Sequence, residues 1–224
     1  MATRPNLPLR QWILGMLLWP ALFCLPASTQ AQGAWKRFWS QPPALRAWAL
    51  AHPFAVGRAQ ALAQESIQVA DSVGTRLDND FIGGWADAFR HTFWMARTTQ
   101  ALGRRRAYSL GRAHERGNYQ TFKRTGTEDG AVQDHAATRM DLLNNDVGIE
   151  LGQRLPAATR AEMQDSVLCL VYAGELYRIK KDAYRNSLDA DDRFIPEQEW
   201  LGKWKNARVV VKGSAWPQGL LIKP

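Results

Sequence analysis

The chain has 224 residues, of which 46% are hydrophobic and 22% charged, and its formal net charge is +8. This length favours one domain with a well-sized hydrophobic core. The sequence contains no internal repeat, heptad array or low-complexity block, which excludes solenoid and coiled-coil proteins. The positive charge is modest for a nucleic-acid-binding protein, so we expect no nucleic acid partner.

Residues 1–31 are predicted to be a secretory signal peptide. Arg4 and Arg10 precede an apolar run from Trp12 to Leu25, and small residues end the segment. The apolar run is short for a membrane span, so we expect cleavage, with an uncleaved N-terminal anchor as the alternative. Cleavage would remove those two arginines, lower the net charge from +8 to +6 and leave 193 of the 224 residues, with no transmembrane span. The mature chain is therefore expected in the periplasm or the medium.

Cysteine usage fits an exported chain without a disulfide framework. Cys24 would leave with the signal peptide, so Cys169 would be the single cysteine and no intramolecular disulfide could form. Cys169 lies in an apolar stretch at helical spacing, which predicts a buried, inert thiol.

The first part of the mature chain is predicted to be helical. Apolar residues recur at helical spacing between positions 54 and 73, and a second such run follows Gly84 and stops at Gly103. We expect the next, basic helix to end at Gly117, because glycine is common where helices end. The predicted elements are a short helix ending near Ala51, helices over 54–73, 83–102 and 104–116, and loops over 74–80 and 119–130.

The second part is predicted to contain two further helices and a tail. The helices cover about 131–155 and 157–183, separated by Pro156. Three consecutive valines predict a short strand from Arg208 to Lys212. The fold class is therefore mainly α, a single-domain helical bundle with a short β-containing C-terminal tail. The predicted domains are 1–31 (signal peptide), 32–185 (helical, with the motifs at about 80–155) and 186–224 (tail with a short strand).

Three segments place metal-capable side chains four residues apart among apolar neighbours. Four residues are about one helical turn, so the members of each pair share one face. Burying such groups is costly unless they satisfy one another or hold a ligand. The pairs are Asp87 with His91, His114 with Asn118, and Asp141 with Asn145. Because Gly117 is expected to end its helix, we pair His114 with Glu115 in place of Asn118.

These residue types predict a metal site inside the bundle. Aspartate and histidine on facing helices commonly hold zinc, manganese or iron, and such an ion can activate water for hydrolysis. The predicted metal ligands are Asp87, His91, His114, Asp141 and Asn145, although Asn145 could instead orient a ligand. Glu115 is predicted as general base or ligand, and Arg90 as the contact for a substrate anion.

The same segments resemble two families. The order His91, His114-Glu115, Asp141 is similar to that of the helical HD-type phosphohydrolases, although those have His-Asp where this chain has His-Glu. A closer resemblance is to a bacterial domain family of unknown function with the segments GWxDAxRHxxW, AHE and MDxxNNxxG. In this chain they are residues Gly84–Trp94, Ala113–Glu115 and Met140–Gly148. This resemblance covers about residues 80–155, and it implies one module without naming a reaction.

Two functions follow as hypotheses. The leading one is a metal-dependent hydrolase acting on phosphoester bonds, with an anionic small molecule or phosphoester as substrate. The alternative is a non-catalytic binding or structural module of the cell envelope, in which the same side chains form a buried hydrogen-bond network. The sequence lacks HExxH, GxSxG, Walker and GxGxxG motifs, so the corresponding chemistries have no support.

Overall fold

The computed structural model describes residues 36, 38–125 and 133–213, so the predicted signal peptide and residues 126–130 of the predicted loop lie outside the described residues. Helices predominate, and the sheet formed by these residues has two antiparallel strands, which confirms the mainly α fold class. No helix among them is long and apolar enough to span a membrane. The elements are α1 (Pro43–Ala51), α2 (Val56–Gly74), α3 (Trp85–Leu102), α4 (Arg104–Thr125), α5 (His135–Arg154), α6 (Arg160–Tyr172), β1 (Tyr177–Ile179), α7 (Glu197–Trp200) and β2 (Val210–Lys212).

Helix α3 lies at the centre of the bundle. It packs along α5 and also contacts α2, α4 and α6. Phe89 and Phe93 join one hydrophobic core with α2 and α6, whereas Trp94 and Met95 join a second core with α1, α2 and α4. Because apolar side chains enclose α3 on nearly every side, a polar side chain on this helix needs a partner inside the protein.

Two glycines allow α5 to approach α3 closely. A Cβ atom on Gly148 would lie 2.2 Å from the carbonyl oxygen of Thr92, and one on Gly152 would lie 2.4 Å from that of Ala96. Both distances are well inside van der Waals contact, so a larger residue would force the helices apart. Backbone contact therefore sets the separation of these two helices.

The predicted end of α4 is wrong. The helix continues through Gly117 to Thr125, so the first part of the predicted 119–130 loop is helical. A Cβ atom on Gly117 would lie 3.1 Å from the Cβ of Pro42 at the start of α1. The glycine thus serves the close approach of α1 and does not end α4.

The long helix predicted over 157–183 is also wrong beyond Tyr172. Gly174 has φ +72°, a left-handed conformation that ends helices, and Glu175 N–H donates to the Leu170 carbonyl to close the last turn. The chain then forms β1, which pairs with β2 so that Tyr177 lies opposite Lys212. The predicted C-terminal strand is confirmed at Val210–Lys212, within the predicted range.

Two further predictions differ from the structure, and a third is not tested by it. Helix α5 begins at His135, later than predicted, because the Asp134 side chain accepts the Ala137 N–H at 2.7 Å and caps the helix. Cys169 is exposed, since it lies on the side of α6 turned away from buried Val167 and Val171, so the prediction of a buried thiol is wrong. The domain boundaries stay a prediction.

Candidate metal centre

Three buried side chains bring one ligand atom each to a common point. His91 Nε2 lies 3.7 Å from Asp87 Oδ1 and 3.4 Å from Asp141 Oδ1. These three atoms all lie within 4.8 Å of one another. Two ligands that are each about 2.1 Å from a tetrahedral metal lie roughly 3.4 Å apart, so the two distances from His91 Nε2 are close to those around a shared ion.

The two central helices position these three residues. Asp87 and His91 lie one turn apart at the start of α3, and Asp141 faces them from α5. Gly83 N–H donates to Asp87 Oδ2 at 2.8 Å, which leaves Oδ1 directed toward the other two residues. A carboxylate in the first turn of a helix is also favoured by the helix dipole.

Asn145 orients the imidazole of His91. Its side-chain Oδ1 lies 3.2 Å from His91 Nδ1, and because an amide oxygen can only accept, Nδ1 carries the proton. The lone pair of the ring is then on Nε2, the atom that faces both aspartates. Metal-bound histidines usually have such a partner on the second ring nitrogen.

Arg90 contacts the same two residues of α3. Its Nη2 atom donates to Asp87 Oδ1 at 2.6 Å and to His91 Nε2 at 3.2 Å. Burial lowers the pKa of the guanidinium, but the charges of Asp87, Asp141 and Glu115 outweigh this effect and raise it above its ordinary value. Arg90 therefore remains a cation in the cluster.

Both histidines of the cluster are neutral at pH 7. Burial lowers the pKa of His91 to about 3, with a further contribution from the charge of Arg90, while Asn145 acts in the opposite direction. Burial also lowers the pKa of His114 to about 3, assisted by His91 and Arg90. A neutral imidazole is the form that binds a metal.

The cluster contains more carboxyl groups than cations. Burial, followed by the charges of Glu115 and Asp87, raises the pKa of Asp141 well above its usual value, and Arg90 only partly offsets this. Three buried carboxyl groups thus face one guanidinium in a medium that penalises uncompensated charge. A divalent cation would balance the excess, and so would a proton on Asp141.

The remaining predicted residues lie around this group at different distances. The ring of His114 is 6.3 Å from that of His91 and packs edge-on against Trp94, so His114 is not part of the three-atom group. Glu115 is buried beside it, with His114 Nε2 3.9 Å from its Oε1. Asn145 contacts the Nδ1 side of His91, which is the position of an orienting residue.

Asn118 was wrongly removed from the predicted pair on α4. Because the helix continues past Gly117, Asn118 is buried and donates to Glu115 Oε2 at 3.2 Å. The original four-residue spacing with His114 therefore indicated the correct face of the helix. The spacing of His114 and Asn118 thus indicated the correct pair, which we set aside because we expected the helix to end at Gly117.

The C-terminal segment contributes contacts that the sequence analysis missed. Asn144 donates to the Tyr177 carbonyl and accepts the Tyr177 N–H, both at 2.9 Å, which ties α5 to β1. Arg208 donates to Asp134 at 2.9 Å, and both side chains are almost fully buried. The partners are far apart in sequence, so no local pattern could have revealed them.

The structure defines a helical domain whose two central helices enclose an Asp-His-Asp group suited to a metal ion. The chain belongs to a family described as a domain of unknown function (DUF6973), which matches residues 46–175. No curated protein and no solved structure matches it. The match confirms a family of unknown function, whereas the three-segment pattern stays a prediction.

Proposed function

We propose that this protein is a metal-dependent hydrolase that acts on phosphoester bonds. The observation that carries the proposal is the convergence of Asp87, His91 and Asp141 within 4.8 Å in a buried site. Two carboxylates and one imidazole suit zinc, manganese or iron, and three protein ligands leave coordination positions for water and substrate.

Two neighbouring residues support hydrolysis of an anionic substrate. Glu115 lies close enough for its charge to raise the pKa of Asp141, and this proximity supports Glu115 as the carboxylate that accepts a proton from the attacking water. Arg90 supplies the guanidinium that suits a phosphate oxygen. His114 lies beside Glu115 and is proposed as a further contact to metal or substrate.

The place of action in this proposal is outside the cytoplasm. Residues 1–31 have the arrangement of a secretory signal and contain no acidic side chain. A periplasmic or secreted location follows from cleavage, which N-terminal sequencing of the protein recovered from the producing cell would test.

The rival function is a non-catalytic envelope module, and two contacts of Arg90 favour it. The guanidinium of Arg90 already satisfies Asp87 Oδ1 and His91 Nε2. In that case the cluster is a hydrogen-bond network that joins α3 to α5, and no ion is needed.

The deciding experiment measures metal content and melting temperature of the purified protein with and without a chelator. The hydrolase proposal expects about one transition metal ion per chain, a lower melting temperature after chelation, and hydrolysis of a chromogenic phosphodiester that returns when metal is added back. His91→Ala should lose the metal. His135→Ala, in an exposed residue of α5 outside the cluster, should keep it. Metal-free protein whose melting is unchanged by chelator would instead support the envelope module.

A further inference from the structure

Arg90 and a bound metal would need the same atom of His91. The lone pair on Nε2 accepts the N–H of Arg90 at 3.2 Å, and one lone pair cannot also coordinate a metal ion. The same guanidinium nitrogen lies 2.6 Å from Asp87 Oδ1. A metal about 2.1 Å from both ligand atoms would lie within roughly 3.5 Å of this nitrogen, where two cations repel strongly.

The side chain of Arg90 is partly exposed, so its guanidinium can move toward solvent and away from these atoms. Its side chain is 20% exposed, whereas those of Asp87, His91 and Asp141 are 3–7% exposed. His114, the other member of the cluster that reaches solvent, is 23% exposed. Arg90 and His114 are thus the most exposed of these five side chains, one a guanidinium and the other an imidazole.

The guanidinium also retains unused hydrogen-bonding capacity. The Nε atom of Arg90 is buried and has no hydrogen-bond partner among the residues that the structure describes. A guanidinium released from Asp87 would present several N–H groups toward the solvent-facing side, in the fork geometry that suits a phosphate.

We infer that Arg90 is a counter-ion that a metal displaces, and that the displaced guanidinium then binds a phosphate-like anion beside His114. This inference rests on the proposed function and adds an order of binding to it, with the metal before the anion. In the metal-free protein Arg90 neutralises Asp87, so the anion site is not formed. Metal binding replaces one positive charge with another and leaves the guanidinium available to the substrate.

The first test compares metal affinity in two arginine variants. Arg90→Met removes the competing cation, and we expect it to bind Zn²⁺ or Mn²⁺ about tenfold more tightly or better, because a charge-assisted hydrogen bond no longer has to be broken. The matched control is Arg97→Met on the same helix, where Arg97 pairs with Glu65 at 2.8 Å. It should bind the metal like the unchanged protein in a competition assay with a chromogenic chelator.

The second test measures binding of inorganic phosphate by calorimetry. The metal-loaded protein should bind phosphate, while the metal-free protein should bind it about tenfold more weakly or not at all. Metal-loaded Arg90→Met should lose this binding, and metal-loaded Arg97→Met should retain it.

Each outcome of these tests decides a separate point. Equal or weaker metal binding by Arg90→Met would overturn the competition while leaving the metal site itself intact. Phosphate binding that is the same with and without metal would overturn the order of binding. Absence of metal binding in every variant would remove the metal centre and this inference together.

Discussion

The side-chain oxygen of Asn145 fixes which nitrogen of His91 faces the two aspartates. The contact is 3.2 Å long and joins α5 to α3 across the closest part of the bundle. It makes the candidate metal site depend on a residue that need not touch the metal.

Asn145→Leu should therefore weaken metal binding without changing a ligand. The variant removes the acceptor for His91 Nδ1, and loss of such an orienting contact usually reduces metal affinity about 10- to 100-fold. Asn145→Asp keeps an acceptor and should retain affinity. The measurement is the dissociation constant for Zn²⁺ at fixed pH, and equal values for the Leu and Asp variants would contradict the assigned role.

Gly148→Ala should destabilise the protein. The added methyl group would lie 2.2 Å from the Thr92 carbonyl oxygen, and overpacking of this kind typically costs about 1–3 kcal/mol. Gly57→Ala is the control, because nothing lies within 4 Å of its Cβ position in helix α2. There the better helix propensity of alanine should leave stability unchanged or slightly higher. Urea unfolding of both variants measures the difference.

Arg208→Met should be among the most damaging single changes in the tail. It leaves the carboxylate of Asp134 buried without its cation, which typically costs about 3–5 kcal/mol. Arg112→Met removes an exposed pair with Asp146 at 3.9 Å and should cost about 0–1 kcal/mol. Similar free energies of unfolding for the two variants would show that the buried pair stabilises the protein no more than the exposed pair does.

The metal-free protein should lose stability as the pH falls below 6.5. Folding lowers the pKa of His91 to about 3, so between these values the unfolded chain binds a proton that the folded chain does not. From pH 6.5 to 5 this single group costs on the order of 2 kcal/mol. Asp141 has the opposite sign, because its raised pKa lets the folded state bind the extra proton.

Two variants separate these contributions. His91→Gln should flatten the decrease in unfolding free energy between pH 6.5 and 5, and Asp141→Asn should steepen it. A pH profile that neither substitution alters would show that other groups control the acid sensitivity.

Local patterns in the sequence were sufficient to predict some elements correctly. Gly84 and Gly103 bracket α3, and the four-residue spacing of Asp87 and His91 correctly predicted that both face the interior of the bundle. Asp141 followed from the same reasoning on α5. These features depend on neighbours within a few turns, which is the distance over which periodicity and glycine act.

Distant contacts decided the elements that the sequence did not predict. Gly117 looked like a helix end because its packing partner, Pro42, lies 75 positions earlier in the chain. Tyr177 to Ile179 looked helical because strand pairing with Val210–Lys212 is not visible in either segment alone. The role of Arg208 depends on Asp134, 74 positions away.

The separation of 74 positions between Asp134 and Arg208 has a consequence for the synthesis of the chain. Helices α3 and α5 are synthesised well before Arg208, so a growing chain already contains Asp87, His91 and Asp141 while Asp134 still lacks its cation. The start of α5 therefore gains this buried ion pair only after Arg208 has been added. A metal that binds before Arg208 is added would therefore meet a helix α5 whose first residues still lack this buried ion pair.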